Sequence, residues 1–281
     1  MTFPGATADR ADAAYVVVGA PLDISTTFQP GTRFGPDRIR RFADSFEDYD
    51  HHTDRHFSEL GVHDAGDLHA WTDAAEYVDF LAGELSDALA DGATPLLLGG
   101  EHTVTVAGVR AVSPDLFVCL DAHLDLRREF DGDPWSHATV TRRALDVAEH
   151  AVIVGVRAGS EREWRRASEG DVTVVDPDAV AERGADAVRE AMAAAADLDS
   201  ATTYLSVDVD AADPAVAPGT GTMEPGGLSA REIRGVVRAI APRADGADVV
   251  EVNDRDDGQA ATLAGALLRD FVFAHADAAS P

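Results

Sequence analysis

The sequence predicts a single-domain α/β protein in three layers (α/β/α), with a mainly parallel β-sheet between two layers of helices. Short apolar runs alternate along the chain with longer, alanine-rich segments, as in proteins built from strand–helix–strand units. The runs are apolar on both faces, which is typical of buried parallel strands. The 281 residues are 45% apolar and contain no repeat, linker or break in composition, so we expect one domain over residues 1–281.

Seven runs rich in valine, leucine and isoleucine are predicted strands: residues 15–20, 95–98, 115–120, 151–156, 172–175, 203–209 and 248–252. Four segments between them have compositions typical of helices: residues 74–91, 139–149, 179–196 and 230–241. Strand–helix alternation of this kind favours parallel strands joined by right-handed crossovers. A histidine-rich stretch over residues 50–69 fits no defined set of metal ligands, and we interpret it as loop and edge-strand residues.

The charge of the chain excludes several classes of partner. There are 51 acidic and 23 basic residues, giving a net charge of −28, and every basic residue is an arginine. Such a surface repels phosphate backbones and anionic lipids, so we expect neither nucleic acid nor membrane partners. An acidic surface without lysine is typical of proteins adapted to molar salt, where a Debye length of about 3 Å screens repulsion between carboxylates.

The single cysteine and the chain start bear on the cellular compartment. Cys119 lies in an apolar run, where a free thiol packs as a small hydrophobic side chain, and it allows neither an intrachain disulfide nor a cysteine-based zinc site. The first ten residues lack the apolar core of a signal peptide, and no uninterrupted apolar stretch approaches 18 residues. We therefore expect a soluble, cytoplasmic protein.

Four of the predicted strands are followed directly by acids or histidines. These residues are Glu101 and His102, then Asp121, His123 and Asp125, then Asp208 and Asp210, and finally Glu251. Ligands of open α/β sheets bind at the carboxyl ends of the strands. We therefore expect these four segments to direct their polar side chains to one place.

The residue types in these segments suit metal ions. In each of the two aspartate-rich segments the spacing of two would place the side chains on one side of an extended backbone. Clustered buried carboxylates cannot all remain ionised without cations, and two divalent ions would balance four aspartates. With two neutral imidazoles, His102 and His123, the oxygen-rich set suits Mn²⁺. Each motif alone also fits a solvated loop, but three together at strand ends favour a metal centre.

Several motifs make the chain resemble the ureohydrolases, the family of arginase, agmatinase and formimidoylglutamase. They are the run PGTRFGP at 30–36 followed by Ile39 and Arg40, GGEH at 99–102, DAHLD at 121–125, and SVDVD at 206–210 followed by Asp213, Pro214 and APGTGTMEPGG at 217–227. The resemblance covers nearly the whole chain, and it implies an arginase-like fold. It departs from the family at residues 254–257 (DRDD), at Ala138 and at Met223.

The resemblance implies a centre of two Mn²⁺ ions per chain, with a hydroxide between them that would attack the guanidinium carbon of a substrate. Its ligands would be His102, Asp121, His123, Asp125, Asp208 and Asp210. Asp121 and Asp208 would bridge both ions. His102 and Asp125 would complete the coordination of one ion, and His123 and Asp210 that of the other.

Three residues are candidates for catalysis by the same resemblance. Glu251 would hold the planar guanidinium through two parallel N–H bonds, although without the resemblance it could be a surface glutamate. His137 would be a proton shuttle to the leaving amine, although an isolated histidine is more often structural. Asp125 would belong to the catalytic group as well as to the metal ligands.

The expected reaction is hydrolysis of agmatine, a small cationic guanidino compound, to putrescine and urea in polyamine biosynthesis. At the pocket mouth Arg127 would favour a carboxylate tail, whereas four acids would favour an ammonium: Asp131, Asp133, Asp254 and Asp256. The alternatives are another guanidino-acid hydrolase, a formimidoylglutamase, or a non-catalytic paralogue that binds or regulates. The resemblance also implies a homo-oligomer, a trimer or a hexamer.

Overall fold

An eight-stranded, wholly parallel β-sheet forms the centre of the computed structural model, which describes residues 1–69 and 71–279. The strands are β1 (Tyr15–Ala20), β2 (Tyr49–Asp50), β3 (Arg55–His56), β4 (Val62–Asp67), β5 (Thr94–Gly99), β6 (Leu116–Leu120), β7 (His150–Val154), β8 (Val172–Val175), β9 (Thr203–Asp208) and β10 (Gly246–Val250). Their order in the sheet is β4-β1-β5-β10-β9-β6-β7-β8, and β2 and β3 form a separate small hairpin.

Helices cover both faces of the sheet. They are α1 (Gly35–Ala43), α2 (Ala74–Ala90), α3 (Thr105–Val112), α4 (Val140–Ala144), α5 (Glu161–Ala167), α6 (Pro177–Arg183), α7 (Ala185–Ala195), α8 (Ala230–Ile240) and α9 (Gln259–Ala278). Helices α1, α7, α8 and α9 contribute to the core on one face, and α2, α3 and α4 to the core on the other. Strand β6 shows the division, because its alternate residues enter opposite cores and all five are buried. The predicted three-layer fold is confirmed.

All seven predicted strands are present with bounds within two residues of the prediction. The histidine-rich stretch contains the hairpin and β4, which is the edge strand, and none of its histidines belongs to a cluster of metal-ligand type among the described residues. The predicted helix at 139–149 is shorter, and the one at 179–196 is divided into α6 and α7 at Gly184, which has a φ of 61°. Helices α1, α3, α5 and α9 were not predicted.

Two glycines of the family-like motifs let loops approach the sheet closely. A Cβ on Gly35 at the start of α1 would lie 2.7 Å from Val252 O and 2.8 Å from Gly99 O. A Cβ on Gly100 would lie 2.0 Å from Leu22 O. The motifs at 30–36 and 99–102 therefore hold the segment after β1 against the ends of β5 and β10. Among the described residues, no helix is long and apolar enough to cross a membrane.

Candidate metal centre

The four strands that end in acids or histidines are adjacent in the sheet. They are β5, β10, β9 and β6, the four central strands, and all run in the same direction. Their register places Val250, the residue before Glu251, beside Asp208. The carboxyl ends of these strands therefore meet along one edge, and the polar residues that follow them come together there.

The side chain of His102 lies at the centre of this edge. Its Nδ1 atom is 3.1 Å from Asp125 Oδ2, 3.2 Å from Asp121 Oδ2 and 3.5 Å from Asp208 Oδ2. The ring is buried, yet Nδ1 forms no hydrogen bond. An unpaired buried nitrogen faced by three carboxylates is poorly explained by the protein alone, but it is a suitable donor set for a cation.

The second imidazole faces the same aspartate from the other side. His123 Nδ1 lies 3.0 Å from Asp210 Oδ2 and 3.5 Å from Asp121 Oδ1. Asp121 thus directs one oxygen toward each histidine, as expected for a carboxylate between two adjacent cation sites. The structure brings all six predicted ligands together, and the donors present fit two divalent cations.

Turns produce this convergence, and the prediction of a continuous extended backbone was wrong. Asp125 has a φ of 50°, in the left-handed region, so the chain has turned by that residue. Asp210 lies in a 3-10 turn that follows β9 rather than in the strand. Two short hydrogen bonds stabilise the turns. Asp121 Oδ1 accepts one from His123 N at 2.7 Å, and Asp208 Oδ1 accepts the other from Asp210 N at 2.8 Å.

The aspartates are too crowded to ionise normally without a cation. Burial, followed by the negative charge of Asp121, raises the pKa of Asp125 to about 7. Burial and neighbouring carboxylates raise the pKa of Asp208 well above its usual value. Burial acts in the same direction on Asp121, but the adjacent imidazoles of His102 and His123 prevail and lower its pKa. Bound divalent cations would relieve this repulsion.

Glu251 lies beside the cluster in a fixed conformation. Its φ is 64°, its N–H donates to Gly100 O at 2.9 Å, and its Oε1 accepts from His102 N at 2.7 Å. Burial raises the pKa of Glu251 to about 8, which a nearby guanidinium would counteract. Glu251 lines a cavity of about 400 Å³ together with His102, Asp208 and other members of the cluster.

His137 lines the same cavity at the start of a 3-10 turn. Its N–H donates to Ser25 Oγ at 2.9 Å, while its ring nitrogens lie 3.3 Å from Ser25 Oγ and 3.4 Å from Thr27 Oγ1. Burial lowers the pKa of His137, so the ring is neutral near neutral pH. A neutral imidazole in the cavity can accept a proton and pass it on.

Sequence reasoning missed the part that Glu101 plays in holding this histidine. The carboxylate of Glu101 is fully buried and accepts from Ile24 N at 2.6 Å, Ser25 N at 2.7 Å and Ser25 Oγ at 2.7 Å. It therefore fixes the loop whose Ser25 hydroxyl supports His137. Its place directly before His102 in the GGEH motif was the available signal.

A polar network behind His102 was also missed. Ser206 Oγ lies 3.2 Å from His102 Nε2 and donates to Asp248 Oδ1 at 2.6 Å, while Tyr204 donates to Asp248 Oδ2 at 2.9 Å. Cys119 Sγ lies 3.7 Å from the same ring nitrogen and 4.0 Å from Asp121 Oδ2. Burial raises the pKa of the Cys119 thiol, which therefore stays protonated and packs against the ring.

The mouth of the cavity differs from the prediction. None of the four predicted acids lines it: Asp131, Asp133, Asp254 and Asp256. Asp256 is instead committed to structure, because it pairs with Arg38 at 3.0 Å and accepts from Ala260 N at the start of α9. The acids that do line the outer cavity are Glu163 and Glu224, and they share it with Arg127.

Residues 13–274 match the family model described as the arginase family. The chain is similar to an agmatinase of Bacillus anthracis, with 35% identity over 84% of this chain and 82% of the relative. It is also 35% identical to the proclavaminate amidinohydrolase of Streptomyces clavuligerus, over 94% of this chain and 88% of that protein. Among solved structures, the agmatine ureohydrolase of Thermoplasma volcanium superposes with a TM-score of 0.92 and 32% identity, covering 98% and 94% of the two chains.

Proposed function

Because the chain belongs to the arginase family, we propose that it is a metal-dependent hydrolase that converts agmatine and water to putrescine and urea. In this reaction the oxygen of water bonds to the guanidinium carbon, and the bond from that carbon to the alkylated nitrogen breaks. The similarity to proteins named agmatinase and to an agmatine ureohydrolase over most of the chain supports this substrate. Putrescine as product would place the protein in polyamine biosynthesis.

The observation that carries the proposal is the buried Nδ1 of His102, which faces three aspartates without a hydrogen bond. Enzymes of this family depend on a binuclear metal centre. We assign six ligands: His102, Asp121, His123, Asp125, Asp208 and Asp210. The oxygen-rich donor set favours Mn²⁺. Two such ions supply Lewis-acid activation of water at neutral pH.

Two further residues of the chain would complete the chemistry. Glu251 would accept N–H bonds from the guanidinium, which orients the planar carbon toward the cluster and replaces water around the cation. His137 would take up the proton released by the attacking water and deliver it to the leaving nitrogen, which then departs as a neutral amine. The Ser25 and Thr27 hydroxyls hold its ring within the cavity.

Two other functions deserve comparison. The similarity to proclavaminate amidinohydrolase supports a guanidino acid as the alternative substrate, with Arg127 as a carboxylate partner. A non-catalytic paralogue would have no physical need for four aspartates around two imidazoles, because burying them costs stability. We therefore favour catalysis.

Metal analysis and urea release test the proposal together. Purified protein loaded with Mn²⁺ should contain two ions per chain and release urea from agmatine. Asp121→Asn should reduce both metal content and activity, whereas the exposed Asp79→Asn on α2 should change neither. Full activity of the Asp121 variant or of chelated protein would contradict the two-metal assignment.

Three further properties belong to the same proposal. We propose that the protein acts in the cytoplasm and in high salt, on the basis of its net charge of −28 and its lack of lysine. We also propose a homo-oligomer, a trimer or a hexamer, by analogy with the family. Light scattering in molar KCl would measure the assembly, and a monomer at all concentrations would contradict it.

A further inference from the structure

The cavity also contains three charged side chains that belong neither to the proposed metal ligands nor to the candidate catalytic residues Glu251 and His137, and we call their part of it the outer part. These are Arg127, Glu163 and Glu224. If Glu251 holds the guanidinium, every guanidino substrate gains that interaction equally. Discrimination between tails must then come from the charges in this outer part.

The charge of Arg127 is opposed by an acid in the same part of the cavity. Its Nε lies 3.4 Å from Glu163 Oε2, and its guanidinium carbon lies 5.1 Å from the centre of the Phe130 ring. Glu163 is buried and also accepts from Ser160 N at 2.9 Å and Ser160 Oγ at 2.7 Å. The two charges therefore neutralise each other, and breaking the pair would leave a buried carboxylate without its cation.

Glu224 is different, because its backbone is held by hydrogen bonds while its carboxylate has only a distant ionisable neighbour. Arg157 donates to Glu224 O from Nε at 3.0 Å and from Nη2 at 2.6 Å, which holds this part of the loop in place. Among the described residues, no group donates a hydrogen bond to the Glu224 carboxylate. The nearest ionisable partner is His123 Nε2 at 4.0 Å, and 42% of the side chain is exposed.

We infer that Glu224 determines substrate specificity by accepting the terminal ammonium of the substrate. The inference rests on the proposed function and names the residue that selects a cationic tail. With Arg127 and Glu163 cancelling, Glu224 gives the outer cavity one net negative charge. An ammonium gains a partner there, whereas a carboxylate tail meets like charge in a partly desolvated site.

A competing role follows from the same geometry. Glu224 could orient the imidazole of His123 by accepting from Nε2, as carboxylates do behind metal-binding histidines. That role would affect every substrate equally and would change metal affinity. Selection of the tail would affect only substrates with a charged tail, so the two roles give different kinetics.

The experiment compares Glu224→Gln with wild type and with Glu129→Gln, a matched change at an exposed acid. Three substrates share the guanidinium and differ in the tail: agmatine is cationic, butylguanidine is neutral and 4-guanidinobutyrate is anionic. For each, kcat and KM are measured with Mn²⁺-loaded protein, and Kd is measured by calorimetry. Metal content is determined for all three proteins.

We expect Glu224→Gln to reduce kcat/KM for agmatine at least about tenfold, mainly through KM, and to leave butylguanidine within about twofold. The value for 4-guanidinobutyrate should rise, and Glu129→Gln should match wild type. Equal losses on all three substrates, or loss of metal, would overturn the inference in favour of the His123 role. An unchanged preference for agmatine over butylguanidine would overturn it outright.

The Kd values separate this inference from the proposed function. If wild type binds agmatine more tightly than butylguanidine but hydrolyses neither, the proposed reaction fails. The loss of that binding preference in Glu224→Gln would still support the role of Glu224. If wild type hydrolyses the guanidines without preferring the cationic tail in kcat/KM or Kd, the reaction stands and the inference fails.

Discussion

Replacing Ser25 with alanine should both destabilise the protein and slow catalysis, because one hydroxyl connects two parts of the cavity. Ser25 Oγ donates to the buried carboxylate of Glu101 at 2.7 Å and accepts from His137 N at 2.9 Å. Ser25→Ala removes both bonds without changing any charge. Glu101 keeps its bonds from the backbone, but the N–H of His137 loses its acceptor.

The size of the effect follows from the two bonds. A hydrogen bond to a charged acceptor contributes about 1.5–3 kcal/mol, and one between neutral groups about 0.5–1.5 kcal/mol. Ser25 is only partly buried, so water can replace part of what is lost, and we expect a net loss of about 2 kcal/mol. For a chain of 281 residues, that corresponds to a fall of about 3–4 °C in Tm.

Thermal unfolding of Mn²⁺-loaded protein measures the stability, and urea release measures kcat. The control is Ser86→Ala, whose hydroxyl bonds only to the carbonyl of Ala82 one turn earlier in α2 and whose loss should cost almost nothing. We expect kcat to fall for Ser25→Ala, with KM for agmatine little changed. A Tm equal to that of wild type would refute the energetic argument. A lowered Tm with an unchanged kcat would show that Ser25 does not position His137 for catalysis.

Three more predictions concern packing, the residues behind His102 and salt. Gly100→Ala should destabilise the fold by about 1–3 kcal/mol or more, because the new Cβ would meet Leu22 O. By contrast, Gly83→Ala in α2 meets nothing and should stabilise it by about 0.5–1 kcal/mol; equal Tm values for the two variants would contradict this. Ser206→Ala, which removes the contact to His102 Nε2, should weaken metal binding by about 10-fold or more in competition with a chelating dye, and unchanged affinity would exclude that role. Finally, Tm should rise from dilute buffer to molar KCl, since salt screens the repulsion expected from a net charge of −28, and a flat curve would show that the acidity is no adaptation to salt.

The sequence was informative about the strands because they are buried on both faces. Burial on two faces produces uninterrupted apolar runs, and all five residues of β6 show this. Extensive burial also explains why two of the helices, α3 and α9, were not predicted. Eleven of the 20 residues of α9 and five of the eight residues of α3 are buried, so neither helix shows a clear alternation of apolar and polar faces.

Residues of the candidate site that are close together in the sequence could be predicted from their spacing. Residues that only the tertiary fold brings to the site could not. Asp121, His123 and Asp125 lie close in sequence, so any compact turn keeps them together. Glu163 and Glu224 enter the cavity from distant segments, on α5 and on the loop after β9. Glu224 lies within the motif at 217–227, but the motif alone does not show which of its side chains line the cavity. The prediction instead chose Asp131, Asp133, Asp254 and Asp256 as mouth acids, and none of these lines the cavity.

The distribution of buried charge supports the proposal that the centre binds cations. Among the described residues, ten acids are buried over the whole residue, and eight of them lie at or beside the centre: Glu101, Asp121, Asp125, Glu163, Asp208, Asp210, Asp248 and Glu251. The other two are neutralised by arginines, Asp64 by Arg40 and Asp270 by Arg234 and Arg238.

The buried acids around the centre, by contrast, mostly lack arginine partners among the described residues. Among the ion pairs of the described residues, only Glu163 of the eight acids has an arginine partner, Arg127. The chain has 23 arginines and uses them to neutralise buried acids elsewhere, so their absence here is specific to the site. Monovalent salt can screen the solvated acids of the surface, but it cannot replace ligands in a buried cluster. We therefore expect divalent ions, bound directly among the aspartates, to balance their charge.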